Sequence, residues 1–117
     1  MSLAVPNGQY LYFKREVRGL NYDVVVLSTD NDYCKEPNAS SDYVFASDPL
    51  PMYYKLENGT LSLFLTSPAA IPKIFQSSIK VVQHQLSPLE FQEIEQHYKE
   101  RGIELLRVEI DKTLKCR

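Results

Sequence analysis

Between residues 28 and 48 the chain sets Asp30, Asp32, Glu36, Asp42 and Asp48 against a single base, Lys35, and threads Tyr33, Tyr43 and the thiol of Cys34 among them. Carboxylates at this density suit three tasks: holding a hard cation, working as acid or base, or attracting a basic surface. The cation reading fails on spacing. Asp30-Asn31-Asp32 opens like a calcium-binding loop, but the fifth position is then Cys34, the required glycine is Lys35 and the closing glutamate is Ser41. Neither a metal nor any other cofactor is expected.

Nucleophilic chemistry would need a base beside Cys34, and His84 with a nearby Asp is the candidate pairing. Nothing in the spacing brings these residues together. G-x-S-x-G, a phosphate-cradling glycine loop and H-E-x-x-H are all absent, and four glycines leave little material for such a loop. A small enzyme or ligand-binding domain with a pocket near Cys34 and His84 is therefore the alternative reading. The other histidine, His97, follows Glu93 by one helical turn. As a pair they lack the further ligands or partners that metal binding or catalysis requires, so His97 reads as a solvent-edge helix residue.

Recognition is the reading the residue types favour. There are eight tyrosines and no tryptophan. Tyr22, Tyr33 and Tyr43 lie among Asn, Ser and Asp, a mixture suited to adaptable protein contacts. Asp30, Asp32, Tyr33, Glu36, Asp42, Tyr43 and Tyr53 are the expected partner-binding residues. The expected partner is a protein with a basic surface or a second copy of the chain, met by a non-catalytic module of the inhibitor, immunity or assembly-subunit kind.

A net charge of -2 leaves no basic excess to neutralise phosphates, which argues against nucleic acid. The patch Phe13-Lys14-Arg15-Glu16-Val17-Arg18, beside Tyr10 and Tyr12, has the cations and aromatics of a single-strand-binding surface. Glu16 interrupts it, and an edge strand guarded by Lys and Arg is the better explanation. No apolar run approaches the roughly 18 residues of a membrane helix. The first ten residues have neither a basic nor a long apolar region, so no signal peptide is expected. Cys34 and Cys116 lie far apart, and without a secretory signal the expectation is reduced thiols and a cytoplasmic chain. The sequons Asn38-Ala39-Ser40 and Asn58-Gly59-Thr60 would carry no meaning there, and a turn explains the second.

The elements that must position these residues begin with strands. Residues 9–17 alternate, with Leu11, Phe13 and Val17 on one side and Tyr10, Tyr12, Lys14 and Glu16 on the other; Arg15 breaks the apolar side. Gly19 allows a turn into 22–28, whose run Val24-Val25-Val26-Leu27 suits a strand covered on both faces. Residues 28–42 form a long polar loop, and 43–47 return to strand. In 52–66, Asn58-Gly59 predicts a two-residue type I′ hairpin. If Glu57 faces Thr60, then Met52, Tyr54, Leu56, Leu61, Leu63 and Leu65 share one face, and Tyr53 lies opposite Phe64 on the other. That second face is either covered by another layer or an exposed aromatic patch.

In 67–78, Pro68 and Pro72 forbid a long helix, and one helical turn covering Ile71, Ile74 and Phe75 is expected. Residues 79–85 and 103–110 read as strands. Between them, Ser87 as N-cap, Pro88 at the first helical position, Glu90 closing a capping box, a Leu86–Phe91 staple and Gly102 beyond the end predict a helix over 88–101. Its apolar stripe is Phe91, Ile94 and Tyr98. The fold class is α+β: an N-terminal antiparallel meander with hairpins, then a β-α-β unit with one main helix. The chain, 117 residues long, reads as a single domain with flexible ends at 1–8 and 111–117.

Overall fold

A computed structural model describes residues 1–18, 22–46 and 48–110. The fold is α+β, with two four-stranded sheets and one α-helix among the described residues. The chain divides into two units, the first made of Met1–Asp48, Ala69–Ser77 and the stretch from Arg107, the second of Pro49–Pro68 and Ser78–Leu106.

The first unit holds an antiparallel sheet in sequence order: β1 (Ser2–Ala4), β2 (Tyr10–Arg18), β3 (Tyr22–Ser28) and β4 (Tyr43–Phe45). Alternation along β2 buries Leu11 and Phe13 and leaves Tyr10 48% exposed. In β3 the whole run Val24–Leu27 is buried, as a strand covered on both faces should be. Arg15 falls on the apolar side of β2, where its guanidinium meets the Asp23 carboxylate at 2.8 Å and donates to the Val108 carbonyl at 3.2 Å. Those partners satisfy a part-buried charge that would otherwise break the face.

Several expectations for this unit are corrected. Residues 1–8 are not a loose end: β1 pairs with Tyr10–Tyr12, the Met1 amino group donates to the Phe13 carbonyl at 3.1 Å, and Val5 is buried. β1 covers β2 only over Tyr10–Tyr12, so the half of β2 that carries the basic patch, Lys14–Arg18, is laddered to β3 alone and keeps an edge beyond β1. Residues 67–78 contain no helical turn, and Ile71 and Ile74 are 78% and 64% exposed. Only Phe75 finds cover, edge-on against Tyr43 with ring centroids 5.1 Å apart. The turn expected at Gly19 and the tail 111–117, with Cys116, lie outside the described residues.

The second unit is built around the predicted hairpin, β5 (Tyr53–Glu57) and β6 (Thr60–Leu65). Its register pairs Glu57 with Thr60, Leu56 with Leu61 and Tyr54 with Leu63, and Asn58 and Gly59 take φ of 52° and 73°. Both central residues of a type I′ turn need positive φ, which Asn and Gly tolerate best. The sheet order is β7-β6-β5-β8, with β7 (Lys80–Gln85) parallel to β6 and β8 (Glu104–Leu105) antiparallel to β5. Thus β7 and β8 run in the same direction in one sheet but with the hairpin between them. The last strand is far shorter than the expected 103–110, because residues 106–110 make no ladder.

The helix α1 (Pro88–His97) starts at the capping box: Ser87 Oγ accepts from the Glu90 N–H at 3.2 Å, and the Glu90 carboxylate accepts from the Ser87 N–H at 2.8 Å. It tightens into a 3-10 turn (Lys99–Arg101) and stops at Gly102, whose φ is 68°. Its stripe covers the outer face of the hairpin. Tyr53, Ile94 and Ile103 form a buried cluster on which Phe64, Leu86, Phe91, Tyr98 and Leu105 pack. The second layer is therefore real, and Tyr53 is core.

Candidate functional site

The polar loop between β3 and β4 is a chain of small turns in which acidic side chains hold the backbone. Buried Ser28 accepts from the Asp30 N–H at 3.0 Å through its hydroxyl, Asp30 accepts from the Asp32 N–H at 2.8 Å, and Asp32 from the Cys34 N–H at 3.0 Å. Asp42 accepts from the Asn38 N–H at 3.1 Å, and the Asn38 carbonyl accepts from the Ser41 and Asp42 N–H groups. Asp, Asn and Ser favour this work because their short side chains reach backbone donors two residues on. A loop of this length is thereby given one shape.

Side chains of β2 then fix the loop to the sheet. Lys14 Nζ donates to the Asp32 carbonyl at 2.9 Å and lies 5.7 Å from the centre of the Tyr33 ring. Tyr12 meets Tyr33 edge-on at 6.4 Å, and Tyr10 lies 6.4 Å beyond Tyr12 on the same face. Tyr10 and Tyr33 remain 48% and 39% exposed. The result is a tyrosine ladder whose last rung, Tyr33, belongs to the loop that carries Asp30, Asp32 and Glu36. Partial burial, then the neighbouring Tyr12, raises the Tyr33 pKa, so this ring stays neutral. The Asp32 N–H and then the Lys35 ammonium, 3.0 Å away, hold the Asp30 carboxyl below the usual range. Asp30 in turn raises Lys35.

The expected residues therefore separate. Tyr33, Asp30, Asp32 and Glu36 share the loop surface. Asp42 is buried and braces the loop from within. The expectation that Tyr43 and Tyr53 line an interface is corrected: Tyr43 is 6% exposed between Phe45 and Phe75, and Tyr53 is 3% exposed beneath α1. Tyr12, Tyr10 and Lys14 were missing from the expected site. The β2–β3 register carries the signal, because Ser28, where the loop begins, lies opposite Tyr12.

A cavity of about 560 Å³ opens under the loop, lined by Phe13, Lys14, Arg15, Tyr33, Lys35 and Glu109 among others. Its volume is in the range of small-molecule sites, roughly 300–1,000 Å³. Among the described residues of its wall, Lys14 donates to the Asp32 carbonyl, Arg15 pairs with the Asp23 carboxylate and Lys35 with the Asp30 carboxylate. Ile110 also lines it, and the chain continues from there beyond the described residues.

The proposed nucleophile is corrected as well. Cys34 is disulfide-bonded, so it has no thiolate, and the expectation of reduced thiols falls with it. The chain has one other cysteine, Cys116, outside the described residues. His84 belongs to the second unit, where its ring stacks on Phe64 at 4.9 Å. His97 is exposed at the helix edge, with Nδ1 3.4 Å from Glu100, while Glu93 pairs with Arg101 instead. Among the described residues no group of three or more His, Cys, Asp or Glu could hold a metal ion, and no helix is long and apolar enough to cross a membrane. Comparison of the chain with protein-family models, with curated proteins and with solved structures gives no match.

Proposed function

We propose that this protein is a non-catalytic recognition module that binds a basic protein surface through the Tyr10–Tyr12–Tyr33 ladder and the acidic rim of the loop. The observation that carries this reading is the seating of Tyr33 against both Tyr12 and Lys14. It keeps an exposed, neutral aromatic surface in one conformation before any partner arrives, which lowers the ordering entropy of binding. Three carboxylates, Asp30, Asp32 and Glu36, against the single base Lys35 give the loop a net negative charge that attracts Lys and Arg and steers encounter.

The structural duty of Asp30 and Asp32 dictates how the reading is tested. Charge reversal would remove the oxygens that cap the Asp32 and Cys34 amides. The variant D30N/D32N/E36Q keeps an acceptor oxygen at each position and removes three charges. Capture of partners from native extract by immobilised wild type and by this variant is the measurement. Unchanged folding with weakened capture of basic proteins is expected; the same proteins held with the same salt resistance would overturn the reading.

The oxidised Cys34 fits an oxidising compartment rather than the reducing cytoplasm that the bare sequence suggested. The cavity supports a second reading, a ligand-binding domain, but Arg15 and Lys35, two of the cations on its wall, already pair with carboxylates, which favours it less. Self-association through the ladder is the remaining form of the interaction reading, and light scattering of the purified chain decides it.

A further inference from the structure

We propose that Asn38 is an acceptor for an N-linked glycan. The sequon Asn38-Ala39-Ser40 carries no meaning in a reducing cytoplasm, and the disulfide at Cys34, four residues upstream, removes that objection. Protein chains that acquire disulfides in a eukaryotic secretory pathway meet the glycosylation machinery in the same compartment.

The local geometry suits the modification. Asn38 is exposed, and its side-chain carbonyl accepts from the Ser40 N–H at 3.0 Å. Its backbone N–H and carbonyl bind Asp42 and Ser41. Every hydrogen bond at Asn38 thus uses the backbone or Oδ1, and Nδ2 donates to none of the described residues, so a sugar on Nδ2 disturbs nothing that holds the loop. The Ser40 hydroxyl likewise has no structural bond among the described residues, although the sequon requires it. Asn58, by contrast, occupies a corner whose positive φ already calls for Asn.

A second observation concerns what lies beside the sequon. The Ile74 N–H donates to the Ser40 carbonyl at 3.0 Å, which places Ile74, 64% exposed, beside the sequon. A bulky, solubilising group at Asn38 would shield this apolar surface. In the transfer, Nδ2 forms a bond to C1 of an oligosaccharide carried on a lipid pyrophosphate. The C1–O bond breaks, the lipid pyrophosphate departs with the electron pair, and one amide proton is released.

The test is to secrete the full chain from a eukaryotic host and map the peptide that contains Asn38. The expected result is added mass on that peptide, removed by a peptide N-glycosidase and absent from S40A and N38D. Both variants keep the turn, since S40A retains the backbone donor and N38D an acceptor oxygen, so their thermal midpoints should match that of enzymatically deglycosylated wild type. Folded, secreted, oxidised protein with Asn38 unmodified would overturn the proposal.

Discussion

The rings of Tyr12 and Tyr33 meet edge to face, with centroids 6.4 Å apart and planes at 85°. An exposed loop residue is thereby seated on a strand residue of the sheet, and the Lys14 ammonium lies 5.7 Å from the centre of the same ring. Edge-to-face pairs contribute about 0.5–1.5 kcal/mol beyond the area they bury. Tyr33→Ala should destabilise the fold by about 1 kcal/mol while speeding hydrogen exchange at the Asp32 and Cys34 amides. Unchanged exchange there would show that the turns alone hold the loop.

Cys34 should resist alkylation in the folded protein until a reductant is added, because it is disulfide-bonded. Immediate labelling without reductant would return it to the pool of candidate nucleophiles.

Gly59 takes a φ of 73° with open space around the position of a Cβ. Gly59→Ala therefore introduces backbone strain without a clash, and a loss of about 1 kcal/mol is expected in urea titration. Asn58→Asp, which tolerates the same region, should change stability much less.

Tyr54 is buried and lies opposite Glu104, and burial first, the carboxylate second, pushes its pKa from 10.0 to about 12. Below the lower value both folded and unfolded chains hold the proton. Between the two, the unfolded chain releases it and the folded chain keeps it, so stability falls as pH rises through that window. Tyr54→Phe should flatten this alkaline loss, read as urea midpoints against pH.

Glu90 behaves in the opposite sense. The Ser87 backbone N–H, and then its side chain, hold this carboxyl below its ordinary value of 4.5. Its contribution is present above that value and is lost as pH falls through the folded one. Glu90→Gln keeps an acceptor for Ser87 but does not titrate, so its acid unfolding curve should be shallower. Ser87→Ala should cost about 1 kcal/mol at all pH values.

The hairpin and the helix were legible because their signals are local. An Asn-Gly corner fixes a register, period-2 alternation then fixes a face, and a capping box names its own first turn. Tyr53 shows where locality stops: its alternation placed it correctly opposite Phe64, but only the arrival of α1 decides that it is core. The partnerships of the recognition loop are equally non-local. Tyr33 and Tyr12, or Arg15 and Val108, are joined by sheet pairing and chain return that no short window contains. The first eight residues look like a loose end in sequence for a related reason, since a three-residue strand of weak pattern exists only through its pairing with β2.

Neither unit is a continuous piece of chain: the first is assembled from three stretches and the second from two. A single proteolytic nick or stop codon cannot release either one whole. A fragment ending at Asp48, for example, lacks Phe75, the edge-on neighbour of Tyr43, and Val108, which accepts from Arg15. Dissection of this protein into separately expressed halves would therefore yield two incomplete bodies, and binding or stability must be measured on the intact polypeptide.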